Sequence, residues 1–406
     1  MSSFISASDP APREAPREAP RETIREALGP GRFLAVAAGT AVLVFALVWV
    51  WVAWMPLAYL DPEYPAWVAK ERLLASCQVG SVLVLGDSRA AADLIPRRLP
   101  GRVVNLAVGG GEPIEAYSAL RRALTCPHPP RRVIVSFDAT HFVRPDLFWE
   151  RSVAFGFMRT RGMARLRAVS ARRHDWSVWR LRLRQGEPGR LRAAFYAMRF
   201  PTLYFGPLLH GGVVLRWWEN RRRLRRVLAA RGQYFFGRAD GSAVVAADGT
   251  LRRFRPLPVL DWYFAALLRL ARARGVPVSF VAMPMNTATW REVRPRVRRG
   301  FAAYLAGYAA RDPDFRVIGP VMPHWPDRYF GDGFSHLNPA GAARFSARFV
   351  AVMAARVNIG RTRERPPVGP ARDSRRQAAC GRAFPNSQRP RNTGRRFSMK
   401  DAVASR

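Results

Sequence analysis

Two short stretches, far apart in the chain, carry side chains that together could transfer an acyl group. Residues 83–89 read LVLGDSR, an apolar run that ends in Gly-Asp-Ser. Residues 332–338 read DGFSHLN and place a carboxylate and an imidazole in one loop. Acyl transfer needs a hydroxyl nucleophile, a histidine that takes its proton and a carboxylate that orients the histidine. We therefore predict Ser88 as the nucleophile, His336 as the base and Asp332 as the orienting acid.

The apolar segments around these stretches predict a parallel β-sheet. Five short apolar runs, most of them rich in valine, are predicted strands: Ser81–Gly86, Arg102–Leu106, Arg132–Phe137, Val276–Met283 and Phe315–Ile318. Helical patterns lie between or after them: Ile114–Leu124, Asp261–Arg274, Val297–Ala310 and Pro339–Ala355. Strands of this kind are buried on both faces, and their alternation with helices indicates a doubly wound α/β sheet. Ser88 should then lie at the carboxyl edge of the sheet, where such folds bind ligands.

The rest of the chain divides by composition. Pro recurs in an Ala-Pro-Arg-Glu repeat near the N-terminus, which forbids a regular helix there. Arg and Trp are abundant between the third and fourth predicted strands, over a length that exceeds an ordinary loop. The predicted segments are a disordered cytoplasmic tail (1–32), a membrane anchor (33–57), an α/β domain (70–356) with a mostly helical insertion at about 145–255, and a disordered basic tail (360–406).

The apolar run from Phe33 to Met55 predicts a helix that crosses a membrane once. It has 23 residues and no charge, which is longer than the hydrocarbon core of a bilayer requires. Its length and the lack of a small-x-small site disfavour a cleaved signal peptide. Five arginines precede it, whereas only Lys70 and Arg72 are basic in the first stretch after it. By the positive-inside rule, the α/β domain should lie in the periplasm, anchored to the inner membrane.

The charge bias and the motifs that are missing from the sequence bear on which partners and cofactors the protein binds. The chain carries 67 basic and 29 acidic residues, but only two of the basic ones are lysine. This bias is typical of GC-rich coding, and attraction to an anionic polymer or to a membrane surface is the other interpretation. No helix-turn-helix, zinc-finger or RNP pattern occurs, so we do not expect nucleic acid as a partner. No nucleotide-binding fingerprint and no metal-ligand spacing of histidines occurs, so we predict no cofactor and no metal.

These motifs resemble those of the SGNH (GDSL-type) hydrolases and acyltransferases. Gly-Asp-Ser follows the first strand, and Asn105-Leu106-Ala107-Val108-Gly109-Gly110-Gly111 follows the second, where that family places its second block. The resemblance implies a flavodoxin-like sheet and an oxyanion hole formed by the N–H groups of Ser88 and of Gly109 or Gly110. Two departures stand out: Phe137-Asp138-Ala139-Thr140-His141 replaces the third block, Gly-x-Asn, and the spacing from Asp332 to His336 is one residue longer than usual.

A membrane anchor before such a domain is similar to the membrane-bound alginate O-acetyltransferases. This implies an esterase or O-acyltransferase that acts on an acylated polysaccharide or another acyl ester of the cell envelope, with an envelope acyltransferase as a partner. Asp138 and His141, after the third strand, and Asn286, after the fourth, are predicted to contact substrate. The alternative is a non-catalytic envelope protein, in which the missing third block marks lost catalysis and the Arg- and Trp-rich insertion binds an anionic polysaccharide or a partner subunit.

Two of the three cysteines precede neighbouring strands. Cys77 comes before the first strand and Cys126 before the third, and these strands are adjacent in a flavodoxin-like order. Parallel strands begin at the same edge, so the two thiols should lie close together, opposite the active site. Outside the cytoplasm they could form a disulfide. Two buried free cysteines, packed as small apolar residues, are the other interpretation.

Overall fold

A five-stranded parallel sheet forms the centre of the protein. The computed structural model describes residues 29–145, 147–179 and 213–363. The strands are β1 (Val82–Gly86), β2 (Val103–Asn105), β3 (Arg132–Ser136), β4 (Val278–Val281), β5 (Met285–Asn286), β6 (Phe315–Ile318) and β7 (His324–Trp325). The main sheet has the order β2-β1-β3-β4-β6, and β5 pairs with β7 in a separate two-stranded ribbon. The predicted α/β class and parallel sheet are confirmed.

Helices precede and follow the strands. They are α1 (Pro30–Trp54), α2 (Pro56–Tyr59), α3 (Tyr64–Ala75), α4 (Ser88–Asp93), α5 (Pro113–Ala123), α6 (Thr160–Arg173), α7 (Val213–Ala229), α8 (Pro258–Arg272), α9 (Thr287–Glu292), α10 (Pro295–Arg311) and α11 (Pro339–Arg363). The apolar spacing of α8 shows why it folds here: Val259, Tyr263 and Leu267 recur every four residues and are all buried. Several helices begin with proline, which fits the first turn because its missing N–H would have no partner there.

Both faces of the sheet are buried. Leu83 and Leu85 of β1 belong to one apolar cluster, and Val84 between them belongs to another on the opposite face. This alternation follows from the two-residue period of a strand. Helices cover both faces, so the only open part of the sheet for chemistry is an edge. The carboxyl ends of β1 and β3 are level, because Gly86 pairs with Ser136.

The helix α1 is long and apolar enough to cross a membrane. It has 25 residues, and its most apolar window is not buried against the rest of the protein. It begins and ends three residues earlier than the predicted anchor, 33–57. The end is set by Pro56, which has no N–H to continue the helix and instead begins the separate short helix α2.

Where the structure describes it, the predicted insertion, 145–255, contains both helices and irregular chain. Its described part contains a π-helical turn at Phe148–Val153, the helices α6 and α7, and short 3₁₀ turns at Ser177–Trp179 and Ala247–Thr250. Most of the chain from 230 to 257 is extended or irregular, whereas most of the other described residues of the insertion are in helices. Residues 180–212 and the predicted tails lie outside the described residues, except that α1 begins at Pro30 and α11 continues to Arg363, into the predicted C-terminal tail.

A disulfide joins Cys77 to Cys126, with the Cα atoms 5.4 Å apart, at a sequence separation of 49. The bridged alternative is therefore the one that the structure confirms. On the chain-entropy account, a disulfide that closes a loop of this length stabilises the folded state by about 4 kcal/mol.

We expect the double variant Cys77→Ser, Cys126→Ser to have a free energy of unfolding in urea that is lower by about 4 kcal/mol. Thiol counting on unreduced, denatured protein should find Cys380 alone; three reactive thiols would contradict the bridge.

A buried carboxylate at the start of α5 makes stability depend on pH. Glu115 is 2% exposed and completes a capping box with Glu112, and Ser152 also donates to it. Burial raises the pKa of Glu115 to about 7, although these hydrogen bonds oppose the shift. The unfolded value is about 4.3, so the folded state binds the extra proton between the two values. Its stabilisation is fully present below about pH 4 and is lost as the pH rises to about 7.

The variant Glu115→Gln should remove this dependence. Glutamine keeps the capping geometry and carries no charge. We expect it to match the unchanged protein near pH 4 and to exceed its free energy of unfolding by up to about 3 kcal/mol at pH 8. Urea unfolding across this pH range measures the difference. Parallel curves for the two proteins would show that Glu115 does not titrate in this window.

Candidate active site

The backbone at the end of β1 places Ser88 at the carboxyl edge of the sheet. Gly86 has a φ of 147°, and a Cβ there would lie 1.9 Å from the carbonyl oxygen of Ser136, so only glycine fits. Asp87 then caps α4 by accepting hydrogen bonds from the N–H groups of Arg89 (3.0 Å) and Ala90 (3.2 Å). Ser88 is consequently the first residue of α4, and it is half-buried.

The loop before α11 forms the predicted acid–imidazole pair. Nδ1 of His336 lies 2.6 Å from Oδ2 of Asp332. The other carboxylate oxygen accepts from the N–H groups of Phe334 (2.9 Å) and His336 (3.3 Å). Burial opposes ionisation of Asp332, but hydrogen bonds from the His336 ring and from the N–H groups of Phe334 and His336 hold its pKa below the usual value. An ionised carboxylate only accepts, so Nδ1 carries the proton and Nε2 is free to act as a base.

Buried polar contacts hold this loop against the helix that begins with Ser88. The N–H of Leu337 donates to Oδ1 of Asp93, the last residue of α4, over 3.0 Å. Ser335 has a φ of 61°, in the left-handed region. Its hydroxyl accepts a hydrogen bond from the N–H of Asn286 in β5 (3.5 Å) and donates one to Oδ1 of the same residue (3.3 Å). The residues on either side of His336 are therefore anchored to two different elements. Its ring is fixed as well, because Phe236 stacks on it with centroids 4.2 Å apart.

Ser88 and His336 line the same cavity, which has a volume of about 390 Å³. Nε2 of His336 is buried and has no hydrogen-bond partner among the described residues. The imidazole and the Ser88 hydroxyl are thus not hydrogen-bonded to each other in this state. Such bonds are often long without substrate and tighten when it binds. The cavity is therefore lined by an imidazole that is paired with an acid and by a serine hydroxyl.

The predicted oxyanion-hole residues have different surroundings. The N–H groups of Ser88, Gly109 and Gly110 make no backbone hydrogen bond within the described chain. Ser88 and Gly110 line the cavity, whereas Gly109 does not. Glu63 lies against Gly109, because a Cβ there would be 2.3 Å from its Oε1. Burial raises the pKa of Glu63, although an ion pair with Arg151 opposes the shift. Ser88 and Gly110 are thus the better placed donors.

The three predicted substrate contacts are only partly brought together. Asp138 and His141 line the cavity, as predicted. Asn286 does not: it is fully buried, caps α9 through Thr289 and donates to the carbonyl groups of Ser242 and Val244. Its polar atoms are therefore used in folding. This corrects the prediction, because the structure makes Asn286 a support for the His336 loop and not a substrate contact.

A network of charged groups forms one wall of the cavity, and sequence reasoning did not predict it. Arg89 is buried and forms ion pairs with Asp248 and with Asp138 (3.7 Å). Burial alone would lower the pKa of Arg89, but Asp248 and Asp138 raise it, so the guanidinium is charged. His141 lies 3.6 Å from Asp138 and 3.7 Å from Asp87.

The same wall contains a group of residues that could hold a cation. Ligand atoms of Asp87, Asp138 and His141 lie within 4.8 Å of one another. However, Oδ2 of Asp87 already accepts from the N–H of Asp138 (2.9 Å), and Arg89 supplies a positive charge beside Asp138. The donor set is therefore satisfied by protein groups, and we derive no metal chemistry from it.

Other residues of the cavity come from segments that carried no motif. Glu63 lies in the sequence between α1 and the α/β domain, and Phe236 and Asp248 lie in the insertion. Only Arg89 had a signal in the sequence, since it is charged and directly follows Ser88. A second cavity, of about 360 Å³, lies beside the ends of β4 and β6 and is mostly apolar. It contains none of the predicted catalytic residues.

The protein is an α/β protein in which Ser88 and His336, the latter paired with Asp332, lie at the sheet edge and line one cavity. In other proteins, a serine, a histidine and an aspartate are the groups that acyl transfer uses. The chain matches no protein-family model and, at a significant level of similarity, no curated protein.

Proposed function

We propose that this protein is a membrane-anchored serine esterase or O-acyltransferase of the SGNH type. One observation carries the proposal: His336, whose Nδ1 is paired with Asp332 and whose buried Nε2 has no hydrogen-bond partner among the described residues, lines the cavity that Ser88 also lines. The strand order β2-β1-β3-β4-β6 supports it, since it corresponds to the flavodoxin-like order with one small ribbon strand outside the sheet. The position of Ser88 after β1 and of His336 before α11 also fits the SGNH pattern.

The proposed reaction proceeds through an acyl-enzyme. Oγ of Ser88 attacks the ester carbonyl carbon, and Nε2 of His336 takes the hydroxyl proton. The N–H groups of Ser88 and Gly110 stabilise the tetrahedral oxyanion. When it collapses, the alcohol leaves with the proton from His336, and the acyl group remains on Ser88. Water or a sugar hydroxyl then attacks in the same way, with His336 as base, and releases free acid or a new ester. Throughout, Asp332 stabilises the charged imidazole.

The lining of the cavity favours a polar, hydroxylated substrate. Arg144, Arg151 and His141 offer donors, and Glu63 and Asp138 offer acceptors. Phe334 is 70% exposed beside the His336 ring and could stack on a sugar face. An acylated polysaccharide of the envelope fits this mixture, with the chain anchored by α1 in the inner membrane and the cavity in the periplasm. A membrane-bound acyltransferase that supplies the acyl group is the expected partner.

A non-catalytic, carbohydrate-binding role is the second candidate. Two observations favour it: His336 is not hydrogen-bonded to Ser88, and Asp138 occupies the position of the family's third-block motif. In that case the same cavity would bind a glycan without turnover.

Hydrolysis of a chromogenic acetyl ester, with and without a polysaccharide acceptor, separates these functions. We expect ester cleavage that Ser88→Ala abolishes and that the exposed control Ser76→Ala does not change. Acceptor-dependent acceleration with acetyl groups on the glycan would identify a transferase. Cleavage that needs no acceptor, with the acetyl group released as acetate and none on the glycan, would identify a hydrolase. Glycan binding without any Ser88-dependent cleavage would contradict the catalytic proposal.

A further inference from the structure

The helix α7 presents aromatic, aliphatic and basic side chains to solvent along one face. Leu215 is 69% exposed and Trp218 is 51% exposed, and Arg222 and Arg225 continue the same face at helical spacing. The exposed arginines of this helix are Arg221, Arg222, Arg223, Arg225 and Arg226. Glu219 is its only acidic residue. A helix that is apolar and basic on its open face is typical of a membrane surface.

The opposite face of α7 is fixed to the segment that follows the membrane helix. Asn220 is buried and donates to the carbonyl oxygen of Leu57 over 2.7 Å. Arg223 donates to the carbonyl oxygen of Pro62, also over 2.7 Å. Leu224 and Val227 are buried among apolar side chains of the domain. The helix is therefore held in a defined position beside the chain that leaves α1.

The end of α1 is itself packed on the domain. Val52 is 1% exposed, and the ring of Trp51 lies 5.6 Å from that of Tyr59. Leu57 lies three residues beyond the end of α1 at Trp54. Three residues advance the chain by roughly 5–10 Å, which is comparable to a headgroup layer, about 5–7 Å thick on each side of a bilayer. If α1 spans the membrane, the contact between Asn220 and Leu57 is at the level of the lipid headgroups.

We propose that α7 binds the phosphate headgroups of anionic phospholipids on the membrane surface from which α1 emerges. Leu215 and Trp218 enter the boundary between headgroups and acyl chains, and the arginines pair with phosphate oxygens. Arg221 lies over the rings of Trp217 (5.3 Å) and Trp218 (6.0 Å), which pre-orders the aromatic and basic groups together. The inference rests on the proposed membrane anchoring and not on the proposed catalysis.

Binding of α7 to the headgroups would also set the distance between the cavity and the membrane. The chain leaves α7 and reaches Tyr234, whose hydroxyl lies 3.3 Å from Glu63, and then Phe236, which stacks on His336. Glu63 lies close after the anchor and lines the cavity. A helix bound to headgroups would therefore hold the cavity close to substrates presented at the membrane.

The test uses the full-length protein in lipid nanodiscs, either zwitterionic or enriched in anionic phospholipid. A nitroxide is attached at Leu215→Cys in a Cys380→Ser background, and its collisions with oxygen and with a water-soluble nickel complex are measured. A second label at Leu43→Cys reports the anchor. We expect the ratio of the oxygen collision rate to the nickel collision rate at position 215 to be severalfold higher in anionic than in zwitterionic nanodiscs. The pair Arg222→Glu, Arg225→Glu should reverse this rise, whereas Arg269→Glu, Arg272→Glu on α8 carries the same charge change and should not.

Three results would overturn the inference. If the label at position 215 remains in water in both lipids while the label at position 43 is in hydrocarbon, the anchor stands and the proposed contact of α7 with headgroups is contradicted. If both labels are in water, the proposed anchor is contradicted as well. If the nitroxide at position 215 becomes immobilised only after an anionic polysaccharide is added, the exposed face of α7 binds a glycan and not phospholipid. Ester cleavage, measured on the same samples, reports the proposed catalysis independently.

Discussion

Ser88→Ala should lower kcat/KM for ester cleavage by a factor on the order of 10⁴ or more. The reason is the loss of the serine hydroxyl that lines the same cavity as His336, because Thr140, another hydroxyl residue of that lining, donates its hydroxyl to Asp138. The variant should unfold at the same temperature as the unchanged protein. Asp87, and not Ser88, caps α4, and Ser88 is only half-buried.

Two controls sharpen this test. Ser76→Ala changes an exposed serine at the end of α3 and should retain full activity. Asp87→Ala should instead lower stability, because three N–H groups, including that of Asp138, donate to this buried carboxylate. A folded Ser88→Ala protein that cleaves the ester at the original rate would exclude Ser88 as the nucleophile.

Asp332→Asn should lower kcat by about 10³–10⁴. Asparagine fills the same space but cannot stabilise a charged imidazole, and its amide can donate to Nδ1 and so hold His336 in the wrong tautomer. Steady-state kinetics should show the loss mainly in kcat, since Asp332 acts on the reacting base and not on bound substrate. The exposed Asp314→Asn is the matched control and should have no effect.

The double variant distinguishes a shared mechanism from two separate defects. If Asp332 acts only through His336 and Ser88, then Ser88→Ala combined with Asp332→Asn should be no slower than Ser88→Ala alone. Losses that multiply would show that Asp332 contributes to the rate by another route.

The sequence was sufficient where local pattern and topology decide the structure. Continuous apolar runs predicted the five strands of the sheet to within a few residues, because buried parallel strands need apolar side chains on both faces. The same topology placed Cys77 near Cys126 and Ser88 at the carboxyl edge. The predicted roles of Ser88 and His336 require the Asp332–His336 loop to lie near Ser88, and the hydrogen bond from the Leu337 N–H to Asp93 joins that loop to α4.

It was not sufficient where distant segments without a periodic pattern meet. Asn286 follows a predicted strand, a position at which residues often bind substrate. In the structure the insertion packs against Asn286, and its side-chain amide donates to the carbonyl groups of Ser242 and Val244. Phe236 and Asp248 reach the cavity through the same irregular segment, and nothing in their spacing indicates that position. Arg89 and Asp248 form a buried ion pair across 159 residues, which depends on the path of the insertion and not on local sequence.

Covalent labelling with a fluorophosphonate, followed by peptide mass mapping, tests the central claim most directly. The probe reacts with a serine only when a base activates it and donors stabilise the oxyanion, so it requires the whole arrangement and no knowledge of the substrate. The account predicts stoichiometric modification of Ser88, no modification of that peptide in Ser88→Ala, and much slower labelling in Asp332→Asn. Folded protein whose Ser88 remains unmodified under conditions that label a known serine esterase would contradict the account.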